Sequence, residues 1–310
     1  MKVLVTGANG FVGRHVVPRL VADGDTVIAA VGPGAPGHPD GQNVTTVSLD
    51  LANDVSLRAA VAAPVDAVIH LAAVALSRAA DRDPALAWKV NAEGTAKLAA
   101  VLATAATSWG RQPLFLLAST ADVYAWQKRP IKEEDCVQPS TPYGWSKLGA
   151  ELAVAQAARC SGLHVIIARP FPHSGGGQDE RFWIPARAKL LRHVKYAGGV
   201  AVPVGDLTAV RDYLHVGDVA DAYALLLKRG TPGEVYNIAS GSEVTLDEVH
   251  SRLEQLLGTT PKREVDASQV RREARPYLVG DAAKLRAATG WKPRRTLDDI
   301  LRDVLDAQKN

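Results

Sequence analysis

An α/β fold on a doubly wound parallel sheet, with a smaller C-terminal substrate-binding lobe, is predicted by two features of the 310-residue chain. Apolar runs of strand length alternate with longer helical stretches through the first half, and the runs are hydrophobic almost without a break. Unbroken apolar strands indicate a sheet covered on both faces, as parallel sheets are. Alternation of strand and helix then implies right-handed crossovers.

The first strand is expected at residues 3–5, followed by a glycine-rich turn and a helix over 11–22. Residues 26–31 and 44–49 supply two further strands, and 56–63 a short helix. Strands at 67–71, 114–118 and 164–168 are separated by helices over 84–107 and 142–158. Pro84 and Pro142 fall at helix starts, where a first turn tolerates proline. On the second of these helices Leu148, Leu152 and Ala155 share a face. Beyond residue 170 the rhythm loosens: Pro170, Pro172, Gly175, Gly176 and Gly177 interrupt it, and Thr231-Pro232-Gly233 reads as a turn. There is no internal repeat. The layout expected is a nucleotide-binding domain over 1–170 and, over 171–310, a lobe that shapes a pocket, with some of its segments returning to the core.

Composition narrows the function. With 47% hydrophobic residues and a net charge of +3, the chain is too apolar and too weakly charged for disorder. No run of roughly 18 uncharged apolar residues marks a membrane span, and Val3, Leu4 and Val5 fall short of a signal-peptide core. Cys136 and Cys160 supply neither a disulfide framework nor a metal-site spacing. The expectation is a cytoplasmic protein without a metal. Residues 262–295 hold ten basic and four acidic side chains, which suggests a polyanionic partner. No motif for nucleic acid accompanies them. A small diphosphate ligand fits better.

Gly7-Ala8-Asn9-Gly10-Phe11-Val12-Gly13 follows the first strand and opens the first helix. Glycines there allow a tight turn and let a pyrophosphate approach backbone N–H groups at a helix N-terminus, the arrangement of a Rossmann-like dinucleotide site. Arg14 follows, either reaching a phosphate or facing solvent. An NAD site usually carries an acid about 20 positions on, for the ribose 2′-hydroxyl. Here the chain reads Ala29-Ala30-Val31-Gly32-Pro33, with neither acid nor arginine. The cofactor expected is NAD(P), the missing acid leaning towards NADP.

Tyr143 and Lys147 are spaced i, i+4 and share a helix face. A phenol titrates near 10 and is a poor acid–base group at neutral pH, but a neighbouring ammonium favours the phenolate and draws that value down. Ser119 and Thr120 end the fifth strand, at the sheet edge where open α/β sheets bind ligands.

In order along the chain, further motifs accompany these: Asp50-Leu51, His70-Leu71-Ala72-Ala73, Asn91, Ser119-Thr120-Ala121-Asp122-Val123-Tyr124, Pro142-Tyr143-Gly144-Trp145-Ser146-Lys147 and Arg211-Asp212-Tyr213-Leu214-His215-Val216. The series resembles the extended short-chain dehydrogenase/reductase family of nucleotide-sugar epimerases, dehydratases and reductases, over nearly the whole chain. By that resemblance Gly7, Asn9, Gly10, Phe11, Val12 and Gly13 hold the cofactor, Asp50 and Leu51 meet its adenine, and Leu71, Ala72, Ala73 and Asn91 run along it. Thr120 would bond the sugar oxygen. Tyr143 would exchange the proton, and Lys147 would hold the nicotinamide ribose.

Gly205-Asp206 to Tyr213 and Gly233-Glu234 to Gly241 are similar to GDP-mannose 4,6-dehydratases and GDP-4-keto-6-deoxy-mannose reductases, and Phe171-Pro172-His173-Ser174-Gly175-Gly176-Gly177-Gln178 to the reductases' loop. Arg211 and Arg271 match arginines that grip the substrate diphosphate, the alternative for Arg211 being an ion pair with Asp218. Pro172 replaces a substrate-contacting asparagine. Asp122 stands where the dehydratases carry glutamate. The resemblance implies an NAD(P)H-dependent reductase of a nucleotide-linked 4-keto-6-deoxy sugar, GDP-4-keto-6-deoxy-mannose to GDP-rhamnose, acting as a homodimer. A 4-epimerase or 4,6-dehydratase is the nearest alternative. A cofactor-sensing protein without catalysis is a third reading, against which the intact Thr120, Tyr143 and Lys147 argue.

Overall fold

The computed structural model describes residues 1–38, 41, 43–198, 201–266 and 276–309. A seven-stranded parallel sheet forms its centre. In chain order the strands are β1 (Lys2–Thr6), β2 (Thr26–Val31), β3 (Val44–Ser48), β4 (Ala67–His70), β5 (Leu114–Ala118) and β6 (His164–Pro170), with Val235–Ile238 as the seventh. Across the sheet the order runs from Val235–Ile238 through β6, β5, β4, β1 and β2 to β3. The chain therefore builds outward from β1 to β3, then returns to the other side of β1 to lay down β4. That reversal opens a crevice at the C-terminal ends of β1 and β4, where sheets of this kind bind ligands.

The helices are α1 (Gly13–Ala22), α2 (Asp54–Ala60), α3 (Ser77–Arg82), α4 (Pro84–Trp88), α5 (Gly94–Trp109), α6 (Pro142–Ser161), α7 (Trp183–Ala197), α8 (Val216–Arg229), α9 (Leu246–Leu257), α10 (Ala283–Thr289) and α11 (Leu297–Ala307). Strand pleating sends alternate side chains into two cores. Val3, Val5, Val27, Ile69 and Leu116 pack against Val16 and Leu20 of α1 and Val219 of α8. Leu4, Val68, Phe115 and Leu117 pack on the other face against Leu98 and Leu102 of α5 and Val154 of α6. Burying each such aliphatic side chain stabilises by ~1.5–3 kcal/mol. A third core joins α7, α9 and α11 through Leu191, Leu253 and Val304.

Three local differences from the sequence expectation have physical causes. The first helix starts at Gly13 rather than residue 11, because residues 7–12 are spent on turns. The second starts at Asp54, since Asn53 caps it by accepting the N–H groups of Val55 and Ser56. The expected helix over 84–107 is broken into α4, a π-helical turn Lys89–Glu93 and α5. Such wide turns gather at functional sites, and this one turns Asn91 inward to the loop after β4. Val235–Ile238 was legible only as part of a motif, because four residues are too few to show a period. With α8 it places chain beyond residue 170 in the layers of the central sheet.

Candidate active site

The glycine turn leaves β1 at Gly7, whose φ of 66° lies in the left-handed region. A Cβ on Gly7 would sit 2.9 Å from the Ala72 nitrogen, and one on Gly13 2.3 Å from the Gly7 carbonyl oxygen and 2.5 Å from that of Ala8. The turn can close only without these side chains. The Gly10 N–H donates to the Gly7 carbonyl (2.9 Å), whereas the N–H groups of Phe11, Val12 and Gly13 meet no carbonyl among the described residues, and α1 has no side-chain cap. These open donors at a helix N-terminus suit a pyrophosphate. Asn9 donates to the Pro36 carbonyl (3.2 Å) and Arg14 to the Gly177 carbonyl (3.1 Å), so Arg14 ties the turn to the loop after β6.

Beside the turn lies a cavity of about 370 Å³ whose lining includes Gly7, Val31, Pro33, Asp50, Leu51, Ala72, Leu86 and Lys89. Asp50 is held in place: its carboxylate accepts the Ala52 N–H (2.9 Å), and its own N–H donates to Ser56 (2.9 Å). A nucleoside fits this space, and the glycine cradle fits the diphosphate that would follow it. The residues therefore suit a dinucleotide. Among the described residues the lining carries one cation, Lys89, and one anion, Asp50, with no acid at Gly32 or Pro33.

The reacting end collects side chains from separate segments. Thr120 lies two residues past the end of β5 and caps a short 3₁₀ turn, Ala121–Val123, by accepting the Asp122 N–H (3.2 Å). Thr141 caps α6 through the Gly144 N–H (3.1 Å), and Pro142 fills the first helical position, so Tyr143 and Lys147 enter the crevice from the first turns of that helix. Lys147 is buried and makes no hydrogen bond among the described residues.

The electrostatics differ from the sequence expectation. Burial raises the Tyr143 phenol above its ordinary value, the negative charge of Asp122 raises it further, and a hydrogen bond with Thr120 pulls the other way. The net shift is upward, because a desolvated site penalises the phenolate first. Lys147 itself is pushed down to about 8 by burial, with the charge of Glu151 opposing.

His70 is fixed as a neutral ring. Thr95 gives its hydroxyl proton to the Asn91 carbonyl (2.5 Å) and so accepts from His70 Nε2 (2.9 Å). Thr6 accepts the Ala72 N–H (3.1 Å) and donates to His70 Nδ1 (2.7 Å). Burial, then the charge of Lys147, takes the imidazole down to about 3. It braces β4 rather than exchanging protons. The Asn91 amide is spent in the same manner: its Oδ1 accepts the Val74 N–H (2.7 Å), and its Nδ2 donates to the Val74 carbonyl (3.1 Å) and to Ser146 Oγ (2.9 Å). It pins the strip after β4 to α6.

Arg211 lies on a two-residue strand, Val210–Arg211, and donates to the Val210 carbonyl (2.8 Å). Its alternative partner Asp218 bonds Arg295 instead (2.7 Å). Arg271 lies outside the described residues. Sequence reasoning missed three participants. Glu151 and Arg169 form a buried ion pair (2.6 Å) behind Lys147, and His173 stacks on Phe11 of the glycine turn at 6.2 Å between ring centroids. The signal for Glu151 was present, since Tyr143, Lys147 and Glu151 repeat every fourth residue along one face. Among the described residues no group of three or more His, Cys, Asp or Glu could hold a metal ion, and no helix is long and apolar enough to cross a membrane.

Known proteins resemble this chain over nearly its whole length. The NAD dependent epimerase/dehydratase family matches residues 3–239. A GDP-6-deoxy-D-mannose reductase of Pseudomonas aeruginosa is 34% identical over 98% of this chain and 96% of its own length. A UDP-glucose 4-epimerase of Streptococcus mutans is 28% identical over 99% of this chain and 96% of its own. Among solved structures, RMD from Pseudomonas aeruginosa complexed with NADPH superposes with a TM-score of 0.84 at 34% identity, covering 100% of this chain and 99% of that one.

Proposed function

The chain belongs to the NAD dependent epimerase/dehydratase family, and from that premise we propose that this NAD(P)-dependent enzyme is a reductase of a nucleotide-linked 4-keto-6-deoxy sugar. The substrate assigned is GDP-4-keto-6-deoxy-mannose and the product GDP-rhamnose. The observation that carries the reductase reading is similarity along nearly the full chain to a GDP-6-deoxy-D-mannose reductase, 34% identical. A reductase needs a proton donor at C4, and Tyr143, bonded to Thr120 at the sheet edge, can supply it.

Bound NAD(P)H would supply the hydride that reaches C4. The chain's own groups do the rest. Thr120 and Tyr143 hold the C4 oxygen between their hydroxyls, and Tyr143 transfers its proton to the alkoxide as it forms. Lys147 then stabilises the phenolate left behind. The open N–H groups of the glycine turn take the pyrophosphate, Asp50 and Leu51 line the adenine, and Arg211 and Arg271 grip the substrate diphosphate. NADPH is the preferred cofactor, supported by the missing acid at Gly32 and Pro33, by Lys89 in the cavity lining and by the likeness to RMD complexed with NADPH. The enzyme works as a cytoplasmic homodimer joined through core helices, an assignment supported by Trp145 and Leu152 standing exposed on α6.

Purified protein mixed with GDP-4-keto-6-deoxy-mannose is expected to consume one NADPH per sugar reduced, with GDP-rhamnose as product. No consumption with any 4-keto-6-deoxy nucleotide sugar would overturn the assignment. Turnover of a nucleotide hexose without added cofactor would replace it with an epimerase or dehydratase.

A further inference from the structure

A buried ammonium needs a reason to keep its proton. Removing the charged form from water costs several kcal/mol unless a partner compensates, and Lys147 is 4% exposed with no hydrogen bond among the described residues. The titratable groups of the reacting end come from four segments. Tyr143 and Glu151 lie on its own helix, His70 on β4, Asp122 on the turn after β5, and Arg169 on β6. His70 is neutral in its hydrogen-bond chain. Asp122 acts on Tyr143. Arg169 is a like charge. Glu151 is the group that favours the ammonium.

Glu151 is also the most firmly held of them. Its Oε1 accepts from Ser119 Oγ (2.5 Å) and Arg169 Nε (2.9 Å), and its Oε2 from Arg169 Nη2 (2.6 Å). Arg169 is fixed in turn, its guanidinium lying 4.7 Å from the centre of the Tyr124 ring. Ser119, next to Thr120, thus joins the carboxylate to the end of β5.

We propose that Glu151 is a positioning residue of the reaction: one turn beyond Lys147 on α6 and clamped by Ser119 and Arg169, it keeps Lys147 a cation behind Tyr143. This rests on the reading of Tyr143 and Lys147 as the reacting pair. The clamp matters because the carboxylate and guanidinium nearly cancel at a distance, while Lys147 lies a helical turn from the carboxylate. Without Glu151, Lys147 loses the group that favours its ammonium against burial.

Lysine labelled with ¹³C at Cε in the full cofactor-free chain reports the titration of Lys147, whose signal is identified by its loss in Lys147→Arg. In the wild-type protein the midpoint is expected near 8. In Glu151→Gln it falls by about one unit or more, and in Glu151→Gln/Arg169→Met it lies between. The double variant leaves no unpaired buried charge and decides the matter should the single variant not fold. The pH profile of NADPH oxidation is expected to shift its alkaline limb down with the midpoint, which a purely structural role would not do. A midpoint unchanged in the double variant overturns the role of Glu151 and leaves the reacting pair standing. A midpoint that moves while the alkaline limb stays overturns the positioning role together with the reading of Lys147.

Discussion

The two ends of the crevice are built in opposite ways. Residues 7–13 form the phosphate end from one contiguous stretch, and what they contribute is backbone: open N–H groups, and glycines where a Cβ would strike carbonyl oxygens. The reacting end gathers side chains from β4, the segment after β5, α6 and β6, and what they contribute is charge and protons in a largely buried space. A backbone site works by shape and survives as long as the turn closes. An assembled site works by electrostatics, and its behaviour depends on how much water each group has lost.

Breaking the reacting end alone should show the largest effect. In Tyr143→Phe the proton donor is gone and little else changes, so turnover of the 4-keto sugar is expected to fall ~10²–10⁴-fold. NADPH affinity, measured by calorimetry, should change only a few-fold, because the donors for its phosphates lie at residues 11–13. Affinity falling in step with turnover would mean that the two ends are not independent.

The next largest effect comes from the phosphate end. Gly13→Ala places a methyl 2.3 Å from the Gly7 carbonyl oxygen, a backbone atom that cannot swing away. The expected cost is ~1–3 kcal/mol of stability, read in urea unfolding, with NADPH binding weakened more than the cofactor-free turn is destabilised. Unchanged binding would show slack in the turn and remove the argument that its glycines are sterically required.

The same contrast explains what the sequence made legible. The glycine spacing, the apolar strands and the i, i+4 pair of Tyr143 and Lys147 are local patterns, and the crevice brings them together at one sheet edge. The direction of the phenol's shift was not legible. Spacing showed a cation near Tyr143 but not that burial outweighs it, nor that the charge of Asp122 acts on the phenol. Glu151 went unread because its partner Arg169 lies 18 residues on, in another element. The π-helical turn at Lys89–Glu93 escaped for a related reason: its cause is the tertiary fit of Asn91 to Val74, not helix propensity.

The smallest effect separates stability from function at one residue. Burial lowers Lys147 from an ordinary 10.5 to about 8. Between those values the unfolded chain binds more protons than the folded one, so wild-type stability rises with pH through that window. Below about 8 the folded protein carries the whole penalty of a buried cation. Lys147→Met fills the space without a charge, though Glu151 then keeps its ion pair with Arg169 and no longer has the charge of Lys147 nearby. It is expected to stabilise the protein by ~1–3 kcal/mol near neutral pH, a gain that fades towards pH ~10 as the wild-type ammonium deprotonates, while turnover is lost. Urea unfolding at the two pH values measures the difference. A destabilised variant at neutral pH would mean that Glu151 more than compensates the burial of Lys147, and the ammonium would then belong to the structural core rather than to the strained, functional end of the crevice.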